Sequence, residues 1–337
     1  MLKSKKIRGI LQLLLSLVLL AWLGNRVGLD SIVSTLAGVD WSWYFPAFFL
    51  FLFNILLRTY RWYILLNALD DRPPFRQLLY LYFVSFFFNN FIPSGFGGDV
   101  VKVISLRQEH GHGTEALSSV IMDRLTGLIG SSFIALIALT WSSVQPWLGQ
   151  PNVNLSLPPA LIFSVALISL GVPLGFMLVR WAGPPGSFIS CLPFIALRPF
   201  IRRLNARAKL QRLVETIYRY PLSTLLRSLL TSIPFTLSLV VIQYSIARAL
   251  SVDVPFYLFP LFVPLISIIN LLPISFNGLG MREGIYQFLF VPVGVPGASA
   301  IAMSLAFYFL RVGTGLIGGL LYAFRSISSV TQPARTN

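Results

Sequence analysis

NNFIPSGFGGDVVK, residues 89–102, decides how the rest of this chain is read. It follows a run of aromatic residues and lies between two segments too apolar for water-soluble helices. Its proline, glycines and aspartate interrupt a hydrophobic run at membrane depth. Irregular backbone survives there only where protein or a water-filled cavity satisfies its freed N–H and C=O groups. NLLPISFNGLGMREG, residues 270–284, repeats the grammar: an Asn, a Pro three residues on, then glycines, then a carboxylate. The two loops are expected to face each other inside the bilayer and to form the working site.

The composition supports a bilayer setting. The chain of 337 residues is 55% hydrophobic and only 11% charged, with mean hydropathy +0.76. Soluble domains carry about a quarter charged residues. Several apolar runs reach the roughly 20 residues of a spanning helix, so the expected class is an all-α polytopic membrane protein. The net charge of +15 comes from 26 Lys and Arg against 11 Asp and Glu. In a membrane protein those cations belong to cytoplasmic loops and to contacts with anionic headgroups, not to nucleic acid. Cys191 is the single cysteine, so no intrachain disulfide forms. His110 and His112 lie together in EHGHG without further ligands at metal-binding spacing, and are read as a solvated loop.

In chain order, a first span is expected at 7–24, preceded by Lys3, Lys5, Lys6 and Arg8 and retained because no small-residue cleavage site follows it. Leu29 to Leu36 reads as one or two amphipathic turns at the interface. Trp41, Trp43 and Tyr44 form an aromatic belt before a span at 43–66, whose Arg58 and Arg61 are expected to snorkel to the interface. Segment 76–106 is a hairpin of two arms, each too short to cross. Spans follow at 114–141 and 159–180. Segment 196–220, with seven basic residues and only Glu215 opposing, reads as a helix on the cytoplasmic surface. A span at 221–250, a second hairpin at 254–295 and a last span at 298–324 complete about six full spans and two re-entrant hairpins.

Charge tests this layout. With the N-terminus inside, the loops at 67–76 and 107–113, the basic segment and the tail are cytoplasmic, while the uncharged loop at 142–158 is outside. That satisfies the positive-inside rule only if both broken stretches are hairpins. The first then opens to the cytoplasm and the second to the outside, the mark of an inverted repeat with its site near the midplane.

Ionisable residues at membrane depth are costly and usually face a cavity or a partner. Here they are Asp99, Asp123 and Glu283 against Arg124, Arg282 and Arg311, with Glu115 and Lys102 nearer a surface. Pro93 breaks the first incoming helix. Gly95, Gly97 and Gly98 permit close backbone approach, and the half-helix starting near Asp99 offers free N–H groups to an anion such as a phosphate. Asp99 either caps that half-helix or meets substrate or a proton. Asn277, Gly278 and Gly280 play the same part downstream. Arg282 has the planar fork that grips a lipid phosphate; the competing reading is an internal ion pair with Asp99 or Asp123. Asp123 and Gly127 share a helix face, where Gly127 lets another element approach; Arg124 points about 100° away and serves a different partner. No nucleophile–base pair and no Walker sequence is evident, so neither a catalytic residue nor a cofactor is expected.

GGDVVKV, DRLTGL and LPISFNGLGMREG together resemble the flippase-like transmembrane family, which includes the membrane half of lysylphosphatidylglycerol synthases. The resemblance covers essentially the whole chain. It implies an inner-membrane protein that binds or flips a phospholipid, an aminoacylated one included, or a polyprenyl-linked lipid. It places the family positions on Pro93, Gly98, Asp99, Glu115, Asp123, Arg124, Pro273, Gly278, Gly280 and Glu283. Lys102 stands where the family more usually has Arg. The sequence ends soon after its last span, so the soluble aminoacyltransferase domain is not expected. Two alternatives remain: a membrane-embedded transferase acting on a lipid carrier, or an accessory subunit that docks a lipid-modifying enzyme through the basic segment.

Overall fold

The computed structural model describes residues 28–69, 72–91, 97–111, 113–144, 167, 170, 171, 174, 177, 212, 213, 215–270 and 278–330. Among the described residues there is helix and no strand. In chain order the helices are α1 (Leu29–Ala37), α2 (Trp41–Asn67), α3 (Phe75–Phe91), α4 (Gly97–His110), α5 (Gly113–Val144), α6 (Leu222–Ala249), α7 (Phe259–Ile269), α8 (Met281–Phe290) and α9 (Gly297–Val330).

Four stretches among the described residues are long and apolar enough to cross a membrane: Trp41–Asn67, Gly113–Thr140, Leu222–Ala249 and Gly297–Arg325. They match four of the expected spans. The expected spans at 7–24 and 159–180 lie wholly or almost wholly outside the described residues, as does most of the basic segment 196–220. Each broken stretch separates two short helices. α3 and α4 have 17 and 14 residues, and α7 and α8 have 11 and 10. All four fall short of the roughly 20 residues a spanning helix needs.

The start of α2 shows how local chemistry sets an element. Asp40 precedes the helix, and its carboxylate accepts the Ser42 N–H at 2.9 Å. This is an N-cap, which satisfies one of the donors a helix start leaves open. The Ser42 hydroxyl and amide hold the exposed Asp40 carboxyl below its ordinary range. Phe45, Phe49 and Phe53 then recur every four residues and are all exposed, a lipid-facing stripe of α2.

The described residues fall into two compact units. Those of Met1–Leu56, Arg76–Lys102 and Leu237–Asn337 form one, and those of Leu57–Phe75 and Val103–Thr236 the other. In the first, Ile32 and Leu36 of α1 pack on Ala298, Ile301 and Leu305 of α9. Further along α9, a side chain at Gly318 would collide with the Phe83 carbonyl of α3, and one at Gly319 would lie 2.6 Å from the Phe87 ring. Small residues here let two backbones approach where the bilayer supplies no hydrophobic drive. Phe259 and Phe262 of α7 meet Phe290 of α8 at ring distances of 5.7 and 5.1 Å.

The second unit is joined by hydroxyl groups and a small apolar cluster. Ser228 donates to Thr126 at 2.9 Å, and Ser131 and Thr236 share a bond of 3.1 Å. Leu65, Leu69, Met122, Tyr220 and Leu225 pack beside them. Interhelical hydrogen bonds of this kind contribute about 0.6 kcal/mol each on average, so a ladder of them accumulates into useful stability.

Candidate functional site

The second broken stretch carries the densest buried charge in its unit. Gly278 and Gly280 have φ of +80° and +81°, which residues with a side chain rarely adopt. They turn the chain into α8, whose first turn holds Arg282 and Glu283. Both are 0% exposed. Glu283 Oε2 accepts the Gly280 N–H at 2.6 Å, so a carboxylate caps this half-helix from inside. Glu283 Oε1 accepts from Arg282 Nη2 at 2.7 Å and from the Ser304 hydroxyl at 2.9 Å. Arg282 Nε donates to the same Ser304 Oγ at 2.7 Å, and the guanidinium lies 4.9 Å above the Tyr308 ring. One nitrogen remains over. Arg282 Nη1 is buried without a hydrogen-bond partner among the described residues. Nearly every buried polar group in a folded protein is paired, so an orphaned guanidinium nitrogen points to a missing ligand or water.

At the first broken stretch, Asn89 Oδ1 of α3 accepts the Gly98 N–H at 2.7 Å. A side chain at Gly98 would collide with the Ser85 carbonyl, so the tight approach of α4 to α3 requires glycine. Asp99 lies in the first turn of α4 and pairs with Lys102 at 3.5 Å. Lys102 Nζ stands 3.3 Å over the Tyr82 ring. A buried ammonium held by a carboxylate and an aromatic face is a desolvated cation with two compensating partners.

In the other unit, Asp123 of α5 accepts from Arg61 Nε of α2 at 2.7 Å, and Arg58 Nε lies 3.9 Å away. Arg61 Nη1 donates to Ser232 Oγ at 3.0 Å, and its guanidinium lies 5.0 Å over Phe235. A Cβ at Gly127 would come within 2.8 Å of Arg61 Nη1, so this glycine makes the room that Arg61 fills. Glu115 and Arg124 are half-buried on the same helix as Asp123.

The sequence profile described as the lysylphosphatidylglycerol synthase TM region matches residues 9–319. The chain belongs to that family. It is also 27% identical over 337 residues to a protein of Methanothermobacter thermautotrophicus named UPF0104 membrane protein, covering 93% of each. Lysylphosphatidylglycerol synthase TM regions are multi-pass membrane domains associated with lipid handling, in keeping with the apolar helices described above.

Within this member of the lysylphosphatidylglycerol synthase TM-region family, several expected residues come together and others do not. Gly278, Gly280, Arg282 and Glu283 form one constellation. Gly98 and Asp99 sit at a second, Asp123 at a third. Pro93, Pro273 and Asn277 lie outside the described residues. Three expectations are corrected. Arg61 does not snorkel: it is 2% exposed, because Asp123 and Ser232 meet it inside the protein. Lys102, expected nearer a surface, is buried against Tyr82 and Asp99. The carboxylate paired with Arg282 is its neighbour Glu283, while Asp99 pairs with Lys102 and Asp123 with Arg61. Ser304 and Tyr308 complete the Arg282 constellation without having been legible as site residues. They carry no sequence signal beyond a Ser and a Tyr four apart in a long apolar helix.

Proposed function

We propose that this chain binds an anionic lipid headgroup and translocates it across the cytoplasmic membrane, with Arg282 Nη1 as the grip on the phosphate. The lipid is a phospholipid, with or without an aminoacyl group, or a polyprenyl-linked lipid. The buried and unsatisfied Nη1 carries the reading. Arg282 is already oriented by Glu283, Ser304 and Tyr308, so a phosphate oxygen arriving at Nη1 completes a preorganised site. The site lies at the start of a half-helix, whose positive dipole end favours negative charge. The four short helices flanking the two breaks support a pair of re-entrant hairpins at 76–106 and 254–295. Their proposed opposite orientation presents the site alternately to each side, with both termini cytoplasmic. Gly98 and Asp99, in the same unit, belong to the proposed pathway beyond Arg282.

The test is transfer of a fluorescent anionic phospholipid between leaflets of sealed liposomes containing the purified chain, read by chemical quenching from outside. Transfer above protein-free liposomes, lost in Arg282→Gln protein that still folds, is the expected result. Transfer at the wild-type rate by Arg282→Gln would overturn the site; no transfer by wild type would overturn the function.

A further inference from the structure

A second feature of the first unit lies on another face of α9. Ser304 and Tyr308 of α9 face the Arg282 site, whereas Ala306, Phe309 and Leu310 line an open pocket of about 410 Å3. Its other walls come from Leu36 of α1, from Val39 in the connection that follows, and from the aromatic start of α2. Trp41, Tyr44, Phe45 and Phe48 give that wall its shape, with ring distances of 5.7 Å from Trp41 to Tyr44 and 5.4 Å to Phe45. Tyr44 spends its hydroxyl on the Ala306 carbonyl, at 2.9 Å. The pocket is therefore almost entirely hydrocarbon in character. It is many times the roughly 30 Å3 share of one water molecule, and a cavity so lined does not hold water.

We infer that this pocket is a binding site for one acyl chain of a membrane phospholipid. Its place in the bilayer argues for that occupant. The wall begins at Trp41, in the belt where aromatic side chains sit at headgroup level. From Trp41 to Phe48 it descends about 10 Å along α2, into the depth where acyl chains begin. Trp41, Phe45 and Phe309 are each more than half exposed, so the pocket is continuous with the lipid-facing surface of its unit. α1 bears on α9 through Ile32 and Ile301 and supplies Leu36 to the wall, so the site is bounded on its α1 side. This inference goes beyond headgroup binding at Arg282 and requires only that the chain resides in a bilayer.

The experiment places the intact protein in nanodiscs with rising mole fractions of a phosphatidylcholine that carries a diazirine in one acyl chain. After illumination, labelled residues are identified by peptide mass spectrometry. Phe53, exposed on α2 away from the pocket, reports bulk lipid. Label at Phe45, Phe48 or Phe309 is expected to saturate while label at Phe53 still rises. Val39→Trp at the rim and Ala306→Leu on the floor should each lower pocket label about tenfold. Both, taken as folded protein that elutes like the parent in size-exclusion chromatography, should leave Phe53 label unchanged, and Arg282→Gln should leave pocket label intact. Three results overturn the inference. Pocket label that rises in proportion to Phe53 label means bulk lipid only. Stronger displacement by a polyprenyl phosphate than by unlabelled phosphatidylcholine means an isoprenoid occupant. Label at Phe53 with none at the pocket means that protein, from this chain or a second copy, covers it.

Discussion

Arg61 and Arg282 are built alike and finished differently. Each is a wholly or almost wholly buried arginine whose Nε makes a bond of 2.7 Å, to Asp123 in one case and Ser304 in the other. Each guanidinium has a carboxylate and a serine as partners and an aromatic ring about 5 Å away, Phe235 at 5.0 Å and Tyr308 at 4.9 Å. The difference lies in the remaining nitrogens. No buried nitrogen of Arg61 lacks a partner, whereas Arg282 keeps Nη1 unpaired among the described residues. A closed constellation of this kind holds helices together. An open one, held by the same devices, is the arrangement on which the proposed headgroup site rests. Buried charge alone does not separate structure from function; what marks Arg282 is a buried nitrogen left over on a guanidinium whose other two nitrogens are fixed.

The largest effect is expected at the closed site. Arg61→Ala strips the buried Asp123 carboxylate of its main partner and should cost about 3–5 kcal/mol, read as thermal unfolding in detergent. Arg61→Ala combined with Asp123→Ala should recover a good part of that loss, because the buried carboxylate goes with its partner and the half-exposed Arg58 nearby can reach solvent. A single variant as stable as the parent would place Asp123 in contact with water and end the contrast between the two arginines.

The open site should show itself through ligand linkage. A ligand that binds only the folded state raises the unfolding temperature, by an amount set by its concentration relative to its Kd. Added anionic phospholipid is expected to stabilise the parent protein and Arg61→Lys, and to lose that effect in Arg282→Gln. Hydrogen bonds to charged groups contribute about 1.5–3 kcal/mol, so affinity should fall by roughly tenfold to a hundredfold. An equal lipid response in Arg282→Gln would make Nη1 a site for buried water.

These two sites also measure what the sequence disclosed. The breaks were legible because a proline, glycines and then a carboxylate come together in both stretches; neither signal suffices alone, since α2 and α6 continue through Pro46 and Pro234 and α9 continues through Gly318 and Gly319. So was the room that Gly127 provides on the Asp123 face. The ion-pair partners were not. Arg61 stands near the end of its span, where a long side chain reaches the interface cheaply, and nothing local reveals that Asp123, 62 residues away, meets it instead. Adjacent residues on a helix point about 100° apart, which argues against pairing Arg282 with Glu283. The pair forms because Ser304, on another helix, draws Arg282 Nε and Glu283 Oε1 to a single hydroxyl. A serine in that role is indistinguishable in sequence from the many that simply bond their own helix.

The glycines beside the two arginines sharpen the contrast at a smaller scale. Gly127→Ala pushes a methyl toward Arg61 Nη1 and should cost about 1–3 kcal/mol of stability through overpacking, with the lipid response retained. Gly280→Ala imposes a side chain on a left-handed residue, with φ +81°. The cost should be about 1–2 kcal/mol. It also displaces the N–H that Glu283 holds, so the lipid-dependent rise in unfolding temperature should shrink as well. If both variants lose stability and neither alters the lipid response, the backbone turn does not tune Arg282.

The smallest effect is expected where an arginine–aspartate pair stands in water. Arg248 and Asp253 approach to 3.2 Å, but their side chains are 41% and 96% exposed. Coulomb attraction is weak there, both side chains give up rotamer freedom, and salt screens what remains. Asp253→Asn should change stability by less than about 0.5 kcal/mol, at low and high salt alike. The pair at Arg61 has the same chemical groups, so setting Asp253→Asn against Asp123→Asn, the same substitution at a buried pair, brings out burial as the variable. A loss at Asp253 approaching that at Asp123 would mean that contact distance, and not the absence of water, sets the energy of these pairs. An unfilled nitrogen on a buried arginine would then not be costly enough to demand a ligand.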